Sequence, residues 1–204
     1  TGVEGLCVVL YRLAVPLRWV DMEETFRRHS SELSNLFLHV LQLLDKRLKR
    51  IVYFNREYAA QHLDDYAEAL FRAGDVLTNI WAFIDITVRG ICRPTTRNAS
   101  RDGNFLSQHS VYSGHKRKLT TDEKSVNNAM SKVHVSVEWS SSHVVNYWTA
   151  IDFKQAQRAG ITPVSQMYRV AVLLTNCITC VQSGNGVSDY FDLSPPSLHD
   201  YLRQ

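Results

Sequence analysis

Apolar residues recur at three- and four-residue intervals through the first third of the chain and again in its tail, and this spacing predicts helices there. Over residues 3–15 the stripe is Leu6, Val9, Leu10, Leu13 and Ala14, and Pro16 ends it because proline cannot supply the next helical N–H. A short second element is predicted from Val20 to Phe26, with Asp21 as its N-cap. Ser30 and Ser31 then offer a cap to a long helix striped by Leu33, Leu36, Phe37, Val40, Leu41, Leu44 and Leu48. Its last turns carry Lys46, Arg47, Lys49 and Arg50, where the helix dipole favours cations. Three helices of this kind have the outline of a helix-turn-helix whose third helix presents basic residues to DNA; ordinary packing with a charged helix end explains the same residues. One further helix is predicted from Asn55 to Arg72, closed by Ala73-Gly74 in the left-handed conformation.

The pattern changes at Ile80. The run from Ile80 to Val88 is apolar and β-branched, which predicts a strand, and it holds one carboxylate, Asp85. Burying an ionised Asp costs several kcal/mol unless a metal or a hydrogen-bond network holds it, so Asp85 sits either at a strand mouth or on a ligand. The following residues to Lys118 are basic and turn-rich, with no helical period. Thr120 to Lys124 form a polar segment able to open a helix. Residues 131–151 read two ways: Val133, Val135 and Val137 alternate as in a strand, whereas Val133, Val137, Val144, Trp148 and Ile151 share a helical face, and the helix accounts for more of them. On that helix Glu138 stands beside the apolar face, as an inward-reaching carboxylate or as a surface residue. The tail predicts a helix from Pro163 to about Cys180, a Gly184-Asn185-Gly186 turn, and an extended piece from Tyr190 leading to a short helix capped by Ser197.

Charge changes this picture in one place. Residues 1–74 carry 10 basic and 10 acidic side chains, 75–130 carry 8 and 5, and 131–204 carry 5 and 5, so the net charge of +3 lies wholly in the middle segment. That suits a loop facing a polyanion, and equally an ordinary solvated loop. The length of 204 residues and 45% hydrophobic content suffice for a substantial core. Four scattered cysteines exclude a small disulfide scaffold and suggest a reducing compartment. Cys177 and Cys180 have the spacing of half a zinc site, but nothing completes it, which favours buried helical thiols. No uninterrupted apolar run approaches about 18 residues, so no membrane span is expected. No signal peptide is recognisable, and the chain opens on Thr1 rather than Met, which leaves room for an upstream segment.

The linked motifs resemble one family. Phe83-Ile84-Asp85-x-Thr87, then Ile91-Cys92-Arg93-Pro94 and Tyr112-Ser113-Gly114-His115-Lys116-Arg117, look like the first catalytic strand and following loop of Harbinger-type DDE transposases and the nucleases derived from them. Met130 to Trp139 is similar to that family's segment bearing the third acid, and Leu173 to Cys177 with Tyr190-Phe191-Asp192 and Pro195-Pro196 resembles its C-terminal end. The resemblance implies an RNase H-like core in which Asp, Asp and Glu hold two divalent cations, Mg²⁺ or Mn²⁺, and cleave DNA. Hard cations prefer carboxylate oxygens, and two of them about 4 Å apart serve attacking and leaving oxygens at a phosphodiester. Asp85 would be the first acid and Glu138 the third. Arg93, His115, Lys116, Arg117 and Lys118 would lie along the nucleic-acid backbone, positioning it rather than reading bases.

The second Asp has no counterpart. The interval from Asp85 to Glu138 would have to hold further strands and a helix, yet Thr95 to Met130 supplies no apolar run to build them, and Asp102 and Asp122 sit in polar, turn-like sequence. Ile86 replaces the small residue that usually follows the first acid, and Ser140-Ser141-Ser142 stands where aromatic and Gly residues follow the third. The expectation is therefore an α+β chain: a helical, helix-turn-helix-like region over 1–74, then an incomplete RNase H-like α/β core over 75–204. It is expected to be a catalytically dead nuclease relative, nuclear, whose partners are DNA and a separate DNA-binding protein. The alternative is a non-catalytic DNA- or protein-binding remnant.

Overall fold

The computed structural model describes residues 2–74, 78–83, 120–153 and 162–203. Among these residues every regular element is a helix. Most of the predicted strand from Ile80 to Val88 lies outside the described residues, and its described part, to Phe83, is irregular.

Helix α1 (Gly2–Ala14) stops just before Pro16, as the sequence requires, but the buried face is turned relative to the predicted stripe. Gly5, Val8, Val9 and Leu13 are buried, whereas Leu6 is exposed. The reason is a close approach: a Cβ at Gly5 would lie 2.8 Å from Val40 Cγ2, so only glycine lets the next long helix come this near. A single 3₁₀ turn (Val20–Met22) and the one-turn helix α2 (Glu23–Phe26) follow. Asp21 does not cap α2. It accepts from the Arg18 backbone N–H and guanidinium instead.

Helix α3 (Ser30–Val52) is the central element. Its cap is His29, whose ring accepts from the Ser31 N–H. Leu33, Phe37, Leu41 and Asp45 form the buried stripe at four-residue spacing. Asp45 puts a carboxylate where a fourth apolar residue would be expected. The predicted helix from Asn55 to Arg72 is two helices, α4 (Arg56–Gln61) and α5 (Leu63–Arg72). The break falls at His62, whose ring lies between those of Tyr58, 4.6 Å away, and Tyr66, 5.9 Å away. Gly74, at φ +107°, takes up the predicted left-handed position after α5.

Helix α6 (Thr121–Tyr147) settles the ambiguous segment as helix. A capping box starts it: the Thr120 hydroxyl accepts from the Glu123 N–H, and the Glu123 carboxylate accepts from the Thr120 N–H. Strand-like alternation is absent, since Val133 is buried and Val135 exposed. A 3₁₀ turn (Thr149–Ile151) then leads toward α7 (Val164–Val181), which follows Pro163. Helix α8 (Gly186–Phe191) is capped by Asn185, so part of the predicted extended tail is helical, and α9 (Leu198–Arg203) begins after Ser197, whose hydroxyl accepts from the Asp200 N–H.

Helices α3 and α7 make the most extensive contact, and α1 packs against α3 as well. The core joins Leu13, Leu33 and Leu41 to Trp148, Met167 and Val170, so the N-terminal helices and the C-terminal segment share one interior. Inside it the Trp148 ring N–H donates to the Thr175 hydroxyl at 3.0 Å, which donates in turn to the Ala171 carbonyl at 2.9 Å. Both polar groups of the indole and the hydroxyl are thereby satisfied without water. By length and composition α7 could cross a membrane, a property missed by counting uninterrupted apolar residues because Gln166 and Arg169 interrupt it. Here Met167, Val170, Ala171 and Leu173 face the core, and Arg169 reaches Asp45.

That pair is bidentate, with Arg169 Nε and Nη2 at 2.7 and 2.9 Å from the two Asp45 oxygens. Asp45 is buried and Arg169 about two-thirds so. Hydrogen bonds from Arg169, aided by Lys49, hold the Asp45 carboxyl below the usual carboxylate range despite the opposing cost of desolvation. Asp45→Ala should cost about 2–3 kcal/mol in chemical denaturation, because Arg169 loses both acceptors. The contribution should be complete above about pH 4, the ordinary Asp range, and fade as acid protonates Asp45 in the folded state. A wild-type-like denaturation curve for Asp45→Ala at neutral pH would remove the pair from any structural role.

Candidate nucleic-acid interface

Of the residues the family resemblance singles out, Asp85, Arg93, His115, Lys116, Arg117 and Lys118 lie outside the described residues. Glu138 lies inside them, on the exposed side of α6. The inward face of α6 is set by Val133, Ser136 and Val144, all buried, and Glu138 falls on the opposite side. Its backbone carbonyl is occupied: the Ser141 and Ser142 hydroxyls both donate to it, at 3.0 and 2.8 Å. Ser136 and Ser140 bond back to carbonyls three and four residues earlier in the same way. The serine-rich run thus spends its hydroxyls within its own helix. Trp139, next to Glu138, is half exposed and meets the edge of Tyr190 at 5.5 Å.

Divalent-cation chemistry needs several oxygen ligands converging from different elements. Among the described residues no group of three His, Cys, Asp or Glu side chains comes together in that way. The described members of the expected ligand set therefore do not form such a site, and Glu138 stands alone among them. Cys177 and Cys180 lie one turn apart on α7, half-buried, and burial pushes both thiols up from their ordinary range, Cys177 also under the influence of Cys180. A raised thiol is a poor metal ligand and a poor nucleophile near neutrality.

A different surface combines charge with aromatic rings. Lys46, Arg47, Lys49 and Arg50 are all exposed on the last turns of α3, and none of them forms a salt bridge within the described residues. The acid in their midst, Asp45, is turned inward to Arg169. Directly beyond, the chain turns through Tyr53 and Phe54, each more than 60% exposed, before α4 begins under the Asn55 cap. Arg50, Tyr53, Phe54, Tyr58 and Tyr66 line a cleft of about 220 Å³. Trp81 supports its rim, its ring 6.0 Å from that of Phe54 and inclined by 30°. Burial, together with the neighbouring Tyr58, pushes the Tyr66 hydroxyl above the usual phenol range.

The sequence presents Lys46 to Arg50 both as a cationic helix end and as the basic end of a helix-turn-helix-like third helix, and marks no role for Tyr53 and Phe54. The usable signal was the stretch from Lys46 to Tyr58, in which five bases and one acid surround three aromatic residues.

No protein-family model, curated protein or solved structure matches this chain.

Because Glu138 is exposed and its side chain carries no part of the core, Glu138→Ala should leave thermal stability within about 0.5 kcal/mol of wild type. A larger loss would place the carboxylate in an interaction beyond the described residues.

Proposed function

We propose that the chain is a non-cleaving descendant of a Harbinger-type DDE nuclease that keeps a capacity to bind DNA. On this reading residues 75–204 derive from an RNase H-like α/β domain that has lost its middle, including the second acid, and residues 1–74 from the helical region before it. The observation that carries the non-cleaving part is the position of Glu138. The residue resembling the third acid projects from the exposed side of an unbroken 27-residue helix, with no described acid converging on it. The binding part is supported by two separate basic features: the sequence from Arg93 to Lys118, and the exposed cluster at the end of α3. Mg²⁺ or Mn²⁺ would be a relic requirement, with Asp85 and Glu138 as its surviving ligands. A DNA-binding function agrees with a nuclear protein and with a separate DNA-binding partner that supplies base reading.

The test is a pair of assays on the full chain. A duplex gel shift at low and at physiological salt should show binding that weakens steeply as salt rises, because released counterions drive phosphate-mediated association. Supercoiled plasmid should remain uncut with Mg²⁺ or Mn²⁺. Metal-dependent nicking that disappears in both Asp85→Ala and Glu138→Ala would show a working nuclease, and salt-independent binding or none would reject the DNA-binding reading.

A further inference from the structure

We infer that the cleft at the C-terminal end of α3 binds single-stranded nucleic acid, with bases stacking on Phe54 and Tyr53 and phosphates running along Lys46, Lys49 and Arg50. The choice of a nucleic acid rests on the DNA-binding reading above; the location and the preference for single strands come from the cleft itself.

Three observations converge. The first is charge: four exposed cations occupy two successive turns, and the carboxylate among them, Asp45, is buried against Arg169. A polyanion approaching this end of α3 meets positive charge that its own helix does not neutralise. The second is exposed ring surface. Aromatic side chains normally bury most of their area, yet Tyr53 and Phe54 keep 62% and 63% of theirs in solvent, immediately beside the cations. The third is support: Phe54 rests against Trp81, and the rings of Tyr58, His62 and Tyr66 follow one another in tilted contact behind the cleft. A fixed ring loses little freedom when a base settles on it.

The alternation of basic groups with ring faces is what sequence-tolerant single-strand binding requires, since every base has a face to stack and every nucleotide a phosphate to pair. Duplex DNA keeps its bases stacked on one another and presents only phosphates and groove edges, so it uses the cations without the rings. A cleft of about 220 Å³ is smaller than the usual small-molecule pocket and suits one ring system entering from a longer strand. An acidic peptide would be drawn by the same cations but has no equivalent use for Tyr53 and Phe54.

Fluorescence anisotropy of labelled oligo(dT) and of a duplex of equal length, each titrated with the full chain, tests this. Phe54→Ala and Tyr53→Ala should each weaken oligo(dT) binding about 5- to 100-fold while leaving duplex binding unchanged. Both side chains are exposed, so the variants should retain the wild-type unfolding temperature. The double variant Lys49→Gln with Arg50→Gln should reduce the slope of log affinity against log salt for oligo(dT) by about 1.4. Unchanged oligo(dT) affinity in both aromatic variants overturns the inference. So does poly-glutamate competing as well as unlabelled oligo(dT), which would mark an acidic-peptide surface. If the duplex binds and oligo(dT) does not, only this inference falls; if neither binds, the DNA-binding reading falls with it.

Discussion

The contact between α3 and α7 is the constraint on which the other elements depend. Helix α3 has two jobs along its length: Leu33, Phe37 and Leu41 fill the shared interior, and Asp45 receives Arg169 where the interior gives way to solvent. An ion pair at that boundary adds little net stability over a well-packed apolar pair, because desolvation offsets most of the attraction. What it adds is alignment. Two parallel N–H bonds to one carboxylate fix both the rotation and the axial position of α7 against α3 in a way that interchangeable Leu and Val contacts do not. Once α7 is set, Thr175 is placed under the Trp148 ring, and with it the end of α6. Helix α1 joins the same interior, at a close approach to Val40 that the missing side chain of Gly5 permits.

The same pair shapes the outer surface. By drawing its carboxylate inward, Asp45 leaves Lys46, Arg47, Lys49 and Arg50 as a block of a single sign. The stability of the interior and the electrostatics of the basic face therefore meet in one side chain, and a change at position 45 would alter both.

Most local signals were legible in the sequence, Asp21 excepted, and those that depend on distant residues were not. Pro16, Gly74, the polar segment opening at Thr120 and Ser197 act within one turn of themselves, and the boundaries they predict are those observed. His62 contains no such signal. It is helix-compatible by propensity, and the break there comes with tilted ring contacts to Tyr58 and Tyr66. The burial of Asp45 was illegible for a plainer reason: its partner lies 124 positions further on. The candidate site divides in the same manner. The motif around Glu138 was visible as a pattern, but its exposure depends on which face of α6 meets its neighbours, and Val133 and Ser136 decided that. At the end of α3 the basic residues were legible as a DNA-facing helix end, but the cleft was not, because Tyr66 and Trp81 join Tyr53 and Phe54 there only through the fold.

The sharing of one interior between α3 and α7 also governs the order in which the molecule can assemble. Helix α3 is complete by residue 52, while α7, its most extensive partner, begins at 164. During synthesis α1 and the Trp19–Met22 turn lie against α3 early, but α7 follows only after more than a hundred further residues have emerged. Closing so long a loop is slow relative to forming the helices themselves. The chain should therefore pass through a long-lived half-covered stage, in which a chaperone, rather than α7, is the first surface to cover what remains open on α3.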